Sequence, residues 1–273
     1  MLGALVIVFR EVVEAGLVVG IVLAATRGIA GRSWWVSLGI LCGVLGASIV
    51  AAFAGAISNA FAGSGQELLN ATVLIIAVVS LTWHNVWMAE HGRELAADMR
   101  RVGTEVSEGQ KPLAVLAIVV LVAVMREGSE VVLFLYGIVV AGTDMGSLLT
   151  GGVLGLAAGA ALSALSYYGL VALPLRYIFS VTGLLLTLLA AGMAAQAVHF
   201  LQLAGVINVF QSRLWDTSWL LSDSSILGRM LHVLIGYEDR PTELQVMAYA
   251  ATLAIILVLI RMARSERQPR TAS

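Results

Sequence analysis

Seven long apolar runs dominate this sequence, and each is long enough to cross a lipid bilayer as one α-helix. A membrane span needs about 20 mainly apolar residues. Only 12% of the 273 residues are charged, compared with about 25% in a soluble domain. The sequence therefore predicts an all-α membrane protein with seven transmembrane helices and no large soluble domain. The predicted spans are 1–26, 34–57, 66–89, 112–140, 146–172, 176–203 and 246–262.

The Arg and Lys residues between these runs predict how the chain is oriented. Connections on the cytoplasmic side of a membrane carry an excess of Arg and Lys. Each odd-numbered span is followed by Arg or Lys, whereas the connections after spans two and four contain neither. We therefore expect a multi-pass protein with its N-terminus outside and its C-terminus in the cytoplasm. In the outer segment 204–245, the amphipathic run 226–235 predicts a short helix lying in the membrane interface.

Nearly all the charge inside the predicted spans belongs to two copies of the pattern R-E-x-x-E, at 10–14 and 126–130. Residues three and four apart share one face of a helix, so each copy places its two carboxylates beside its guanidinium. One charge at the centre of a membrane helix costs about 2.5–3.5 kcal/mol. Six isolated charges would therefore exceed the stability of about 5–15 kcal/mol that is typical of a protein. The two patterns must face each other or a wet cavity.

The two charged patterns also indicate an internal repeat. They begin 116 positions apart, at Arg10 and Arg126, and an L-G-x-x-x-G pattern recurs with the same offset at 38–43 and 154–159. A unit of three spans has its ends on opposite sides of the membrane, so its second copy is inverted. We expect two three-helix inverted repeats plus a C-terminal helix. The predicted parts are a first repeat 1–89, a cytoplasmic connection 90–111, a second repeat 112–203, the outer segment 204–245, and a seventh helix with a basic cytoplasmic tail 246–273.

Two interpretations of the charged patterns are open. Ion pairs between helices would fix the packing alone, or the carboxylates would form a cation site. Two guanidiniums neutralise only two of the four carboxylates, so the other two hold protons or attend a cation. Carboxylate oxygens suit hard cations better than soft ones. The charge count therefore favours a cation site built from Glu11, Glu14, Glu127 and Glu130.

The sequences REVVE and REGSE in these two patterns resemble the signature of the high-affinity iron permease family, the oxidase-dependent iron transporters. The outer stretch WDTSWLLSDSSILGRMLHVLIGYEDRP at 215–241 is similar to the bacterial branch of that family. The resemblance covers essentially the whole chain. It implies an iron permease of the bacterial inner membrane, which is not an enzyme and has no permanently bound cofactor.

What the resemblance implies extends to partners and site residues. Ferric iron, the transported substrate, would be supplied by periplasmic iron-oxidising or iron-delivering proteins. The protein's other partner is the lipid bilayer, and no nucleic acid is expected. By motif, the iron ligands would be Glu11, Glu14, Glu127 and Glu130, with Arg10 and Arg126 as supporting charges.

Other polar residues have two possible interpretations, one functional and one purely structural. Glu67 opens span three on the outer side, where it is either an entrance ligand or a carboxylate stabilised by the helix dipole. The polar stretch 90–111 is most simply a solvated extension of span three. The acidic residues of the outer segment either collect cations or serve as caps and turns; they are Asp216, Asp223, Glu238 and Asp239.

Two histidines raise a function of a different class, a membrane haem protein for electron transfer with two axial histidines. His84 is predicted near the inner end of span three and His199 near the outer end of span six. One haem could not use both of them. A carrier for another hard or borderline divalent metal is the nearer alternative to an iron permease.

Overall fold

The computed structural model describes residues 1–60, 65–169, 175–223 and 225–265, and these form eight α-helices. The predicted basic tail beyond residue 265 lies outside the described residues. Seven of the helices are long and correspond one by one to the predicted spans. The helices are α1 (Leu2–Ala25), α2 (Arg32–Ala60), α3 (Gln66–Ser107), α4 (Ala114–Val140), α5 (Met145–Tyr167), α6 (Leu175–Leu203), α7 (Ile226–Ile235) and α8 (Glu243–Ser265).

Five of these helices are long and apolar enough to cross a membrane: α2, α3, α5, α6 and α8. The helices α1 and α4 have 24 and 27 residues, so their length is also sufficient. Each of them differs from the other five by carrying the three charged residues of one R-E-x-x-E pattern in its middle. The charge, and not the length, therefore sets α1 and α4 apart.

The third helix is much longer than its predicted span. It continues from the span as far as Ser107, so the polar stretch that follows residue 89 is mostly a helical extension. Asp98 and Arg101 on this extension are largely exposed and form an ion pair of 3.3 Å. Val106 near its end is buried. The extension is thus solvated along its length and anchored to the other helices at its end.

Helices of the two predicted repeats pack against each other in pairs. The most extensive contacts join α1 to α5 and α2 to α4, while α3 packs against α6. The second helix of each predicted repeat therefore packs against the first helix of the other repeat. The helix α8 packs against α6 and α3 at the edge of the bundle.

Glycines allow these helices to approach closely. A methyl group added at Gly39 of α2 would lie 2.6 Å from the carbonyl oxygen of Ala117, and one at Gly155 of α5 would lie 2.6 Å from that of Leu5. Contact between helix backbones through small residues is typical of membrane helices, where apolar burial does not distinguish protein from lipid.

Two apolar cores lie along the helices on either side of the charged patterns. The first core contains Ile7 of α1 and Ile138 of α4, together with buried residues of α3 and α6. The second core contains Val22 of α1 and Val120 of α4, with Val106 of α3. Because the charged residues stand between these positions in both α1 and α4, they occupy a level between two apolar layers.

The predicted outer segment contains the short helix α7, as expected from its amphipathic run. The side chain of Ser225 caps its first turn by accepting a hydrogen bond of 2.9 Å from the amide of Gly228. Gly236 ends the helix with φ of +69°, a conformation that favours glycine. The backbone of Gly236 also contacts Gly192 of α6, so the segment is held against the bundle.

The packing predicts a difference between three glycine substitutions. Gly39→Ala and Gly155→Ala each place a methyl group against a backbone carbonyl, and overpacking of this kind costs about 1–3 kcal/mol. Gly152→Ala in α5 is the control, since nothing lies within 4 Å of an added methyl group there, and alanine favours a helix by up to about 1 kcal/mol. Unfolding of the purified variants in detergent should show that Gly39→Ala and Gly155→Ala are less stable than the wild type and that Gly152→Ala is at least as stable as the wild type. Equal stability of all three would contradict the close packing of α2 on α4 and of α5 on α1.

Candidate metal centre

The structure brings together the four glutamates predicted from the sequence. Glu11, Glu127 and Glu130 each offer a carboxylate oxygen, and these atoms and one ring nitrogen of His84 all lie within 4.8 Å of one another. Glu14 adjoins this group, with Oε2 3.4 Å from His84 Nε2. Helices α1 and α4 each supply two carboxylates, and α3 supplies the imidazole.

The half of the cluster on α1 is almost fully buried. Arg10 Nε donates a hydrogen bond of 2.8 Å to Glu14 Oε1, and its Nη1 donates one of 2.8 Å to Asn85 Oδ1 on α3. Arg10 and Glu14 are each only 4% exposed. One guanidinium therefore neutralises one carboxylate of α1 and joins α1 to α3.

The half of the cluster on α4 repeats this pairing in a more open setting. Arg126 Nε lies 3.3 Å from Glu130 Oε1 and 4.0 Å from Glu127 Oε1. Its guanidinium stands over the ring of Trp87 on α3, 4.4 Å from the ring centroid, which is a cation–π contact. The side chain of Arg126 is 35% exposed and that of Glu130 18% exposed. The described residues therefore enclose the α4 half of the cluster less completely than the α1 half.

His84 lies between the two glutamate pairs. Its Nε2 faces the α1 pair, at 3.8 Å from Glu11 Oε2, and its Nδ1 contacts Glu130 Oε2 of the α4 pair. The residue is 1% exposed. The imidazole thus lies between carboxylates of both helices.

Several buried carboxylate oxygens have no hydrogen-bond partner among the described residues. This holds for both oxygens of Glu11 and for Oε2 of Glu127, whereas Oε2 of Glu14 and Oε2 of Glu130 face the ring nitrogens of His84. Buried polar groups in folded proteins are almost always paired, because an unpaired one costs about 1–3 kcal/mol. Oxygen atoms that converge in this way without donors are suited to a cation, and ion pairing with Arg10 and Arg126 leaves them unused.

Sequence reasoning missed the contribution of α3. His84 was expected near the inner end of its span, but α3 continues 23 residues beyond it, to Ser107, and His84 lies level with the middle of α1 and α4. In the same turn of α3 as His84, Asn85 accepts a hydrogen bond from Arg10 and Trp87 contacts Arg126. The available signal was the adjacent His–Asn pair inside an otherwise apolar run. His199 of α6 is not part of the cluster, which leaves the haem interpretation without a pair of ligands.

Glu67 lies apart from the cluster. It is exposed in the first turn of α3. Since it precedes His84 by 17 residues, about 25 Å of helix separates the two at 1.5 Å per residue. Glu67 is therefore not part of the cluster, and its place in the first turn of α3 fits both interpretations.

The acidic residues of the outer segment bond to their own segment. Asp216 accepts hydrogen bonds from Ser218, which lower the pKa of its carboxyl group, and lies 3.0 Å from Arg240. Burial raises the pKa of Glu238, whose Oε2 accepts a bond of 2.6 Å from Gln245. Asp223 and Asp239 each accept a hydrogen bond from the other's backbone amide. These contacts are those of caps and turns.

The two arginines are predicted to differ in their effect on stability. Arg10→Ala leaves Glu14 and Asn85 without a partner in a buried site, which costs about 3–5 kcal/mol. Arg126→Ala removes a partly exposed pair and a cation–π contact, which together are worth about 1–2 kcal/mol. Thermal unfolding of both variants in the same detergent measures the difference. An equal or larger loss for Arg126→Ala would show that the α4 half is the buried one.

Comparison with known proteins identifies the family of the chain. The model of the iron permease FTR1 family matches residues 1–264. The chain is 32% identical over 273 residues to the ferrous iron permease EfeU of Escherichia coli O6:H1, covering 98% of this chain and 97% of that protein. It is 29% identical over 256 residues to the ferrous iron permease EfeU of Yersinia pestis, covering 93% of this chain and 90% of that protein. No solved structure matches the chain. The chain therefore belongs to the iron permease FTR1 family.

Proposed function

We propose that this protein is a multi-pass permease of the bacterial inner membrane that carries iron ions through a site formed by Glu11, Glu14, Glu127 and Glu130. The observation that carries the proposal is the convergence of Glu11, Glu127 and Glu130 from two helices, with buried oxygens of Glu11 and Glu127 that have no donor among the described residues. Carboxylates are ligands for hard and borderline cations. Membership of an iron permease family supports iron as the cation.

The oxidation state of the carried iron is the finer part of the proposal. The resemblance of the motifs implies ferric iron, which suits hard carboxylate ligands. Two observations favour ferrous iron: the relatives named above are ferrous iron permeases, and the site's formal charge matches a divalent ion. Four carboxylates and two guanidiniums give −2, so a divalent ion brings the sum to zero and a trivalent ion leaves +1. We take ferrous iron as the first candidate and ferric iron as the second.

Seven transmembrane helices are proposed, with α1 and α4 added to the five apolar ones. Their charges meet each other at the cluster, so these helices need not expose charge to lipid. The proposed orientation places the N-terminus outside and the C-terminus in the cytoplasm, because Arg and Lys follow the odd-numbered spans.

The packing of α1 on α5 and of α2 on α4 supports two inverted repeats, but the two contacts are shifted by one helical turn relative to each other. Gly39 approaches Ala117 and Val120, and the offset of 116 relates these positions to Met1 and Ala4. It is Gly151, and not Gly155, that approaches Met1 and Ala4. In space, Gly39 of α2 therefore corresponds to Gly151 of α5. The sequence offset of 116 would instead relate it to Gly155, one helical turn further along. The connection between α4 and α5 is also shorter than that between α1 and α2.

The route of the ion passes through the two apolar cores. Both cores close the bundle next to the cluster, one on the side of Ile7 and one on the side of Val22. An ion held by the glutamates would be separated from both aqueous phases by these layers. Transport therefore requires each layer to open in turn, which is the alternating access expected of inverted repeats. Delivery of iron by periplasmic iron-oxidising or iron-delivering proteins is proposed for the outer side.

The site predicts the result of four substitutions. Glu→Gln at positions 11, 14, 127 and 130 keeps the shape of each side chain but removes a charged ligand, so each should reduce iron uptake at least about ten-fold. Uptake of radioactive iron into proteoliposomes, with ferrous and ferric iron compared under controlled redox conditions, measures the effect. Glu67→Gln is the matched control, since Glu67 is exposed and far from the cluster.

Two outcomes of the uptake experiment would contradict the proposal. Near-normal transport by two of the four cluster variants would show that the ion does not bind through all four glutamates. Uptake of Mn(II) or Zn(II) in preference to both forms of iron would make the protein a carrier of another divalent metal, even if the glutamates were required.

The proposed orientation predicts which of two serines is accessible from outside. Ser212, in the outer segment, and Ser107, at the end of α3, are both exposed. In a Cys42→Ser background, Ser212→Cys should react with an impermeant maleimide on intact spheroplasts, and Ser107→Cys should react only after the membrane is opened. Labelling in the reverse order would show that the N-terminus is cytoplasmic.

A further inference from the structure

We propose that His84 is a fifth ligand of the carried ion and that its imidazole biases the site toward divalent iron and against trivalent ions. This inference rests on the proposed function, because it concerns the same site. It adds a nitrogen donor from a third helix to a set of oxygen donors from two.

The position of His84 supports the role of a ligand. The ring is buried, Nε2 faces Glu11 and Glu14, and Nδ1 contacts Glu130. Two ligand atoms on opposite sides of a small divalent ion are about 4.0–4.4 Å apart, since each bond is about 2.0–2.2 Å long. The ligand atoms of His84 and three glutamates lie within 4.8 Å of one another. Shifts of a few tenths of an ångström would therefore bring all four onto one ion.

The contacts of His84 with Glu14 and Glu130 leave Glu11 without a hydrogen bond. Arg10 and Arg126 also bond to Glu14 and Glu130, so the imidazole is not needed to balance the charge of these two carboxylates. Glu11 is the buried carboxylate with no hydrogen-bond partner at either oxygen, and His84 Nε2 is 3.8 Å from it, too far for a hydrogen bond. An ion between the ring and this carboxylate satisfies both groups at once.

The chemistry of imidazole gives the direction of the selectivity. Neutral imidazole is a borderline ligand that suits Fe(II), Zn(II) and similar divalent ions, whereas hard trivalent ions bind best to oxygen alone. A neutral ligand also adds no charge, so the sum of −2 from the glutamates and arginines is unchanged. The type of ligand and the net charge of the site therefore both favour divalent ions.

The direct test is to detect the nitrogen on a bound metal. The full-length purified protein is loaded with Mn(II), a paramagnetic divalent probe, and examined by electron spin-echo modulation with natural and with nitrogen-15-labelled histidine. A histidine ligand gives a modulation that changes with the isotope, because the glutamate oxygens have no nuclear spin. This readout uses the wild-type chain and does not depend on whether a variant folds. The absence of a histidine modulation from bound Mn(II) would overturn the proposal.

Two variants identify the histidine and its effect. His84→Asn should abolish the modulation, whereas His199→Asn, half-buried on α6 outside the cluster, should keep it. His84→Asn should also lower the affinity for Fe(II) relative to Ga(III), a redox-inert trivalent ion, by at least about ten-fold. An unchanged ratio, or a modulation that disappears with His199→Asn, would contradict the role of His84.

The experiment separates the failure of this inference from that of the proposed function. Glu127→Gln provides the reference, because it removes a proposed oxygen ligand and leaves His84 in place. Metal binding that requires Glu127 but shows no histidine modulation would refute the inference alone. Metal binding that is indifferent to Glu127, or no binding of Mn(II) or Fe(II) by the wild type, would refute both.

Discussion

The cost of placing ionised groups between membrane helices governs this structure. Four carboxylates and two guanidiniums stand in the middle of α1 and α4. In the proposed topology, in which both helices cross the membrane, each charge alone would be unfavourable by about 2.5–3.5 kcal/mol. The fold meets this cost by bringing both helices to one place and lining it with polar groups of α3. The remaining helices surround this centre: α5 covers α1, α2 covers α4, and α6 packs on α3.

Close packing and the charged cluster depend on each other. The glycine contacts bring α5 to the backbone of α1 and α2 to the backbone of α4, which excludes lipid from one side of each charged helix. The apolar cores around Ile7 and Val22 exclude water from above and below the cluster. Electrostatic interactions in such an enclosed site are stronger than in water, so the pairing of Arg10 with Glu14 and Asn85 has more effect on the fold than an exposed pair would.

The sequence predicted the helices and the carboxylates because both signals are local. Apolar runs gave helix positions, and the spacing within R-E-x-x-E placed Glu11 and Glu14 on one helical face. Contacts between distant segments left no such pattern. His84 enters the cluster because of how α3 crosses α1 and α4. The His–Asn pair in its apolar run marks a polar position but does not show which residues that position faces. The offset of 116 likewise does not determine which residues of α2 and α5 occupy equivalent positions in space.

The unequal exposure of the two halves of the cluster bears on how an ion would leave it. The α1 half is held by Arg10, which is bonded on two sides and buried. The α4 half contains Arg126 and Glu130, whose side chains are partly exposed. Interactions between charges are stronger in more enclosed, less polar surroundings. In the proposed site, the two pairs of glutamates, although related by the repeated pattern, would therefore hold an ion unequally. Release of the ion would begin at the partly exposed Glu130 rather than at the buried Glu11 or Glu14.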